Sequence, residues 1–582
     1  MIDVARTVGF AAWLGTMWFA AASLDRSEGP RSPADAVRDT LLVTVGGAFV
    51  LGLCGILTPW ALVAWPLCIA AVALATRRDR STVLRRTFQT APPSSWLLQI
   101  VVVSVLAWPG LVRPILDGDS MSYHLPNAAA WATAHSVWTA TTTYWWYPPG
   151  SELTASAVLL IGGPRCLGVI GFSIVLLLAL RLAETFRTHG CATSPASLAA
   201  VAIVTVPLIA VQTSSLQNDV WLAAWLLEGI VAARRPSHRA ALNWAVAAIS
   251  KPIGFVFAFV GGGITRASIA TIGLSAIPLA TWIARDAMLR ATTRSLGVSE
   301  SSLGLWESTI AVQGLHGIVV FATAIAHQGF GQWVMLALVL ASPFAAPTAA
   351  LRMLPLAYLV LFFFEPFGYA NELPQLATGS SLRYALPALV AGSLSVTTPL
   401  KRFPQAAVIL GAVAGGIQMR AHVEIFWNDA NVRGAFVVGG IVMLTALLPR
   451  RARSAYVAAS LTGLLCYATR LDNDPARYAD ATISRFGATS RVFDWIAAER
   501  PPKIVAWETD GGLVTTVSPA SIVLDAAASD PCRQARDERA LLILTVEHDE
   551  TAARRAQLFA SARQCGRVAY EDAGAIAIDP RR

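Results

Sequence analysis

The sequence has few charged residues for its length. Asp, Glu, Lys and Arg make up 14% of its 582 residues, whereas soluble domains contain about 25%. Hydrophobic residues make up 55%, and the mean hydropathy is +0.54. This composition excludes an ordinary soluble protein and predicts a polytopic membrane protein.

Familiar metal-binding and phosphate-binding motifs are also missing. The seven cysteines show no CxxC spacing, no HExxH occurs, and Asp510, Gly511 and Gly512 form a turn signal rather than a Gly-rich phosphate loop. Cys532 and Cys565 lie in the polar C-terminal region. From the sequence they could form a disulfide with each other or remain as two free thiols.

Apolar runs long enough to cross a bilayer recur from Val8 to about Arg470 and predict roughly 13 to 16 transmembrane helices. The first run could be a signal peptide or a retained helix, and residues 1 to 6, which carry no net positive charge, favour a retained helix. We divide the chain into N-terminal transmembrane helices at 1–95, a large membrane domain at 96–470 with an outer loop at 113–152, and a soluble domain at 471–582.

The formal net charge of +9 comes from basic residues in the short gaps between apolar runs. Their positions indicate the membrane topology rather than a nucleic-acid partner. Basic residues cluster in short gaps around Arg77, Arg234, Lys401 and Arg450, which the positive-inside rule places in the cytoplasm. The outer loop, the turn at Asn218 and the C-terminal domain then lie on the other side.

One apolar run, from residue 240 to residue 264, is interrupted by Ser250, Lys251 and Pro252. A lysine inside a lipid-facing helix costs several kcal/mol. We therefore predict two short helices that meet at Lys251 near the outer face.

The region after Leu471 has a different pattern. Short β-like runs, Ile504 to Trp507, Leu541 to Val546 and Ala575 to Ile578, accompany a helical stretch from Glu550 to Arg563. They predict a small extracytoplasmic α/β domain with an accessory role.

The outer loop carries the most distinctive motif. Asp117 and Asp119 precede Tyr123 and His124, and Pro126 then opens a predicted helix. The two acids could cap this helix or act on a substrate, and the aromatic residues that follow could form an interfacial belt.

The Asp119-to-Tyr123 spacing, followed by His124, Leu125, Pro126 and the Tyr147–Gly150 segment, resembles the GT-C superfamily of membrane glycosyltransferases. Four later segments fit the same pattern: Gln217 to Asp219, Ser250 to Pro252, Trp282 to Asp286 and Arg383 to Pro387. The resemblance covers roughly residues 90 to 400. It departs from the protein O-mannosyltransferases and lipid A aminoarabinose transferases at Asp119, Ser120, where many of those enzymes have an Asp-Glu pair.

The resemblance implies a GT-C-like, all-α polytopic domain that moves a sugar from a polyprenyl-phosphate donor to a glycan, lipid or protein hydroxyl. It places the enzyme in a bacterial cytoplasmic membrane with its site on the extracytoplasmic face. A carboxylate base would deprotonate the acceptor hydroxyl, and cations would stabilise the departing phosphate. We predict Asp119 as this catalytic base, and a substrate-binding set of Asp117, Tyr123, His124, Asp219, Lys251, Arg285, Arg383 and Tyr384. No metal ligand is assigned and no cofactor is certain, since some relatives need a divalent cation and others do not.

Two other classes stay open. A transporter would share the many spans and the broken helix at Lys251, but the sequence shows no convincing internal repeat and its polar residues concentrate in outer loops. A lipid-linked glycan ligase or polymerase would share the location and the donor. We expect the active-site residues of such an enzyme to come from outer loops rich in arginine and histidine rather than from an Asp motif early in the chain.

Overall fold

The computed structural model describes residues 2–24, 32–76, 96–233, 238–295, 330–362, 381–405, 491–507, 521–525, 530–546 and 552–580. Within these ranges, residues 113, 114, 116, 118, 143 and 252 are not described, and residue 238 is described by its backbone only. Residues 409, 413, 414, 514, 517 and 518 are described singly. The predicted domain boundary at 470 lies outside these ranges.

The membrane domain is all-helical over its described residues. Its helices are α1 Ile2–Leu24, α2 Pro33–Leu53, α3 Pro59–Ala75, α4 Leu97–Val112, α5 Leu125–Ala134, α6 Gly150–Ile161, α7 Gly168–Thr188, α8 Thr193–Val204, α9 Pro207–Ala210, α10 Asn218–Ala232, α11 His238–Ala248, α12 Gly254–Ile264, α13 Ile269–Ser295, α14 Phe330–Ala345, α15 Ala349–Phe362, α16 Leu386–Ser393 and α17 Thr397–Arg402.

Four of the described helical segments are long and apolar enough to cross a membrane. They are Ala5–Leu24, Pro33–Leu53, Pro164–Thr188 and Ile269–Ala291, and the pair Thr193–Val204 and Pro207–Ser214, bent by 74°, adds a fifth if it forms one span. Together with the composition, these helices make the chain a multi-pass membrane protein. The predicted number of spans also includes runs near residues 434 and 456, which lie outside the described residues.

The predicted interruption at Lys251 is confirmed. Helix α11 ends at Ala248 and α12 begins at Gly254, so the polar residues fall in the break between two short helices. The break lies beside α10, the central helix, in which every residue from Asn218 to Ile230 is buried. Helix α10 packs against α7, α11, α12 and α16, which fixes its first turn inside the bundle.

The C-terminal region forms the predicted small α/β domain. A five-stranded sheet has the order β2-β1-β3-β5-β4, with β2, β1 and β3 parallel and with β5 antiparallel to both β3 and β4. The elements are helix α18 Val492–Glu499, β1 Lys503–Trp507, β2 Ile522–Asp525, α19 Pro531–Asp537, β3 Leu541–Thr545, α20 Ala552–Arg563, β4 Arg567–Glu571 and β5 Ala575–Asp579.

The two faces of this sheet have different neighbours. One face packs under α19 and α20, where Cys532 and Cys565 form a disulfide, which settles the pairing that the sequence left open. The other face packs on α18, and its apolar side chains join the core of the membrane domain. Strand β2 contacts α5, so the small domain lies against the helix that follows the Asp119 motif.

Candidate active site

The Asp119 motif adopts a short π-helical turn, Ser120–His124, that continues into α5. Such turns are frequent at functional sites. Asp117 stabilises the start of this turn because its Oδ1 accepts hydrogen bonds from the Ser120 amide at 3.0 Å and from Gln217 Nε2 at 3.3 Å. Burial raises the pKa of the Asp117 carboxyl. These contacts give Asp117 a capping role, while its predicted contact with substrate stays a prediction.

Four charged side chains from four parts of the chain form one ionic cluster. Lys251 Nζ bonds Asp219 Oδ1, and Arg383 bonds Asp119 Oδ2. The Nε of Arg383 also lies 3.5 Å from Asp219 Oδ2, so this arginine lies between the two aspartates. The structure therefore brings together the predicted base and three of the predicted substrate-binding residues.

The members of this ionic cluster differ in their access to solvent. The side chains of Asp219 and Lys251 are 3% and 6% exposed, that of Arg383 is 13% exposed, and that of Asp119 is 28% exposed. The Asp219–Lys251 pair is thus the buried part. Asp119 is the member that a molecule entering from outside would meet first.

Aromatic rings surround the ionic cluster. Lys251 Nζ lies 3.8 Å from the centroid of the Tyr384 ring, a distance that allows a cation–π contact. The Tyr123 ring lies 5.2 Å from that of Tyr144 and 5.4 Å from that of Tyr147. Burial raises the pKa of Tyr123 well above its usual value, so its hydroxyl stays neutral and can donate a hydrogen bond.

His124 does not contact the ionic cluster directly, but it forms a buried pair of its own. Its Nδ1 lies 2.6 Å from Oε1 of Glu152, a residue in the first turn of α6. The sequence analysis did not select Glu152. The signal that could have indicated it is a lone acidic residue at the start of an apolar helix, directly after the Tyr147–Gly150 motif.

Gly150 brings this motif against the break at Lys251. Its N–H donates to the Ile249 carbonyl at 2.8 Å, and a Cβ on Gly150 would lie 2.6 Å from the Ser250 Cα. Only a glycine permits so close an approach between the two segments.

We expect Gly150→Ala to lower the free energy of unfolding by about 1–3 kcal/mol, the usual cost of overpacking, and to reduce activity because the backbone beside Lys251 must shift. Thermal unfolding in detergent is the measurement. Gly46→Ala is the matched control, since a Cβ there meets no heavy atom within 4 Å and alanine favours a helix interior. Equal stability of the two variants would contradict the close approach.

Arg285 departs from the predicted grouping with the phosphate-binding cations. Its guanidinium is buried and donates to the carbonyls of Val137, Thr139 and Trp145 at 2.5 to 2.9 Å. It also forms an ion pair with Asp286. The sequence alone does not distinguish a buried cation that binds backbone carbonyls from one that binds substrate. These contacts hold Arg285 on the aromatic loop, and its predicted role in substrate binding stays a prediction.

We expect Arg285→Lys to destabilise the protein by about 1–3 kcal/mol, because one ammonium cannot replace a guanidinium that reaches three carbonyls. For the polyprenyl-phosphate donor that the resemblance implies, the KM should change less than twofold, since the polar contacts of Arg285 go to the aromatic loop and to Asp286. Unfolding and steady-state kinetics on the same preparation measure both quantities. A large rise in KM with unchanged stability would restore Arg285 to the substrate-binding set.

The described residues do not fit a divalent-cation site. Among them, no group of three or more His, Cys, Asp or Glu side chains is placed to hold a metal ion. The carboxylates of Asp119 and Asp219 are instead neutralised by Arg383 and Lys251. This geometry identifies no metal ligand, and the possible divalent cation stays a prediction.

Comparison with known proteins gives a distant likeness to a solved structure. No family model and no curated protein sequence matches the chain. Its fold is similar to the crystal structure of ArnT from Cupriavidus metallidurans in the apo state, with 15% sequence identity and a TM-score of 0.48. The match covers 83% of this chain and 97% of that chain.

Proposed function

We propose that the chain is a membrane glycosyltransferase of the GT-C type. It moves a sugar from a polyprenyl-phosphate donor to a hydroxyl of a glycan, lipid or protein acceptor, on the extracytoplasmic face of a bacterial cytoplasmic membrane. The observation that carries the proposal is the ionic cluster, in which an accessible carboxylate, Asp119, pairs with Arg383, and a buried carboxylate, Asp219, contacts both Arg383 and Lys251.

The two cations are suited to a phosphate. Arginine and lysine are the usual side-chain partners of phosphate oxygens. Lys251 is held by Asp219 and by the Tyr384 ring, so it is oriented before a ligand arrives. In the proposed complex the donor phosphate takes the place of Asp119 on Arg383, which releases the Asp119 carboxylate.

The released carboxylate can then act as a general base. A hydroxyl is a poor nucleophile at neutral pH, and removal of its proton during attack accelerates the reaction. The acceptor oxygen bonds to the anomeric carbon while the bond from that carbon to the phosphate oxygen breaks. The proton goes to Asp119, and the electron pair leaves with the polyprenyl phosphate beside Lys251 and Arg383. This single displacement inverts the anomeric configuration.

Transfer from a panel of radiolabelled polyprenyl-phosphate sugars tests the proposal. Membranes that contain the wild-type protein should yield labelled acceptor from at least one donor, and membranes without the protein should not. Movement of intact donor across the bilayer with no transfer would indicate a transporter. A parallel panel of polyprenyl-diphosphate glycans tests the ligase or polymerase interpretation, which transfer from these donors alone would indicate.

A further inference from the structure

A second buried polar group lies beside the ionic cluster. The side chains of His124 and Glu152 are 1% and 0% exposed, and the 2.6 Å contact between them joins residues that are 28 positions apart in sequence. The His124 ring also packs on Tyr123, with centroids 4.0 Å apart. The orientation of His124 is therefore set from one side by a carboxylate and from another by an aromatic residue of the Asp119 motif.

Glu152 has a further partner on the opposite side of the site. The amide nitrogen of Asn218 lies 3.4 Å from both carboxylate oxygens of Glu152. The amide oxygen of Asn218 accepts hydrogen bonds from the Ser151 backbone N–H at 3.1 Å and from the Ser151 hydroxyl at 2.6 Å. With both ends of its amide engaged, Asn218 has one orientation in this arrangement.

These bonds connect the two segments that carry the aspartates of the ionic cluster. His124 lies five residues after Asp119 in one segment, and Asn218 directly precedes Asp219 in the other. Glu152 contacts both His124 and Asn218. Glu152, which belongs to neither segment, is therefore one of the links between them, beside the direct hydrogen bonds from Gln217 to Asp117 and from the Leu216 N–H to the Ser120 hydroxyl.

Stability alone does not explain a carboxylate at this position. Every residue of α6 from Gly150 to Val158 is buried, and well-packed apolar residues commonly stabilise such a position as well as a buried polar network does. An ionisable residue within a membrane domain generally marks a functional site.

We propose that Glu152 is a positioning residue for the transfer reaction: it orients His124 and, through Asn218, helps to hold the Asp119 segment against the Asp219 turn. The inference rests on the proposed function. The side-chain hydrogen bonds of Glu152 go to His124 and Asn218, so we assign its contribution to the alignment of the reacting groups rather than to the capture of the donor phosphate.

Purified Glu152→Gln, His124→Asn and the double variant test this role. Glutamine has nearly the same shape but carries no charge. With its oxygen on His124, its amide nitrogen replaces one of the two oxygens near the Asn218 amide nitrogen, so one of those contacts becomes an unfavourable donor–donor contact and the hydrogen bond to His124 loses its charged partner. We expect kcat to fall about tenfold or more, the effect of losing a hydrogen bond to a charged group, while the KM for the donor stays within twofold. The double variant should be no slower than the slower single variant, because the two residues act as one unit.

Glu228→Gln is the matched control. Glu228 is also fully buried and is paired with Arg181 inside the bundle, but it lies near the far end of α10 from Asp219. We expect this control to lose thermal stability and to retain the kcat of the wild type. If Glu152→Gln fails to accumulate, His124→Asn tests the same contact from its other partner.

The outcomes separate the two proposals. A wild type that transfers sugar, together with a Glu152→Gln variant of unchanged kcat, would overturn the role of Glu152 alone. Additive losses in the double variant, or an equal loss of kcat in Glu228→Gln, would also overturn it. A wild type that transfers no sugar from any donor would overturn the proposed function itself.

Discussion

Asp119→Asn is expected to reduce the rate of sugar transfer by about 10²- to 10⁴-fold, the contribution of a well-placed general base. The amide has nearly the shape of the carboxylate but cannot accept the acceptor's proton. Asp119 is the most exposed member of the ionic cluster, and its partner Arg383 lies between it and Asp219. Donor binding should change little, because Lys251 and Arg383 both remain. Rates at matched expression, with donor affinity measured in parallel, check this result.

Asp117→Asn is the informative comparison for that experiment. Its amide oxygen can still accept from the Ser120 N–H, so the start of the π-helical turn should persist. We expect a loss of less than tenfold, in keeping with a capping role. Full activity of Asp119→Asn combined with a large loss in Asp117→Asn would move the base to Asp117.

Asp219→Leu is expected to have the largest effect on stability. It leaves Lys251 buried without its carboxylate partner and removes one of the two aspartates beside Arg383. Removal of one partner from a buried ion pair costs about 3–5 kcal/mol. Activity should also be lost, because the cations proposed to bind phosphate are no longer held in place.

The double variant Asp219→Leu, Lys251→Met separates folding from function. Apolar residues in place of a buried ion pair are commonly neutral or stabilising, so the melting temperature should recover toward that of the wild type. Transfer should not recover, because the phosphate has lost a cation. Recovery of activity together with stability would show that the pair only supports the fold, and wild-type stability of Asp219→Leu alone would contradict the buried pair.

The sequence predicted those parts of the fold that are marked by a pattern of a few neighbouring residues. Lys251 and Pro252 interrupt an apolar run, and the structure breaks the helix there. Strands β1, β3 and β5 are short apolar runs and were predicted. Strand β4 was missed because most of its side chains are exposed at the edge of the sheet, and β2 because it has four residues and also lies at an edge.

The candidate site was predictable in its residue types but not in its pairings. The positive-inside rule predicted that Asp119, Asp219, Lys251 and Arg383 lie on one side of the membrane. The spacing of residues in the sequence does not show which aspartate forms an ion pair with which cation. Those pairings depend on how α10, the α11–α12 break and the segment before α16 pack together. Glu152 was missed for the same reason, because its partner His124 becomes a neighbour only when α5 packs on α6.

The most direct measurement is stoichiometric transfer by the purified protein in lipid nanodiscs, with a polyprenyl-phosphate sugar labelled in both the sugar and the lipid. The proposed mechanism predicts one polyprenyl phosphate released for each sugar attached to an acceptor hydroxyl, with inverted anomeric configuration and almost complete loss of both products in Asp119→Asn. Donor that stays intact in the presence of every acceptor, or equal yields from wild type and Asp119→Asn, would contradict the assignment of the ionic cluster as a glycosyl-transfer site.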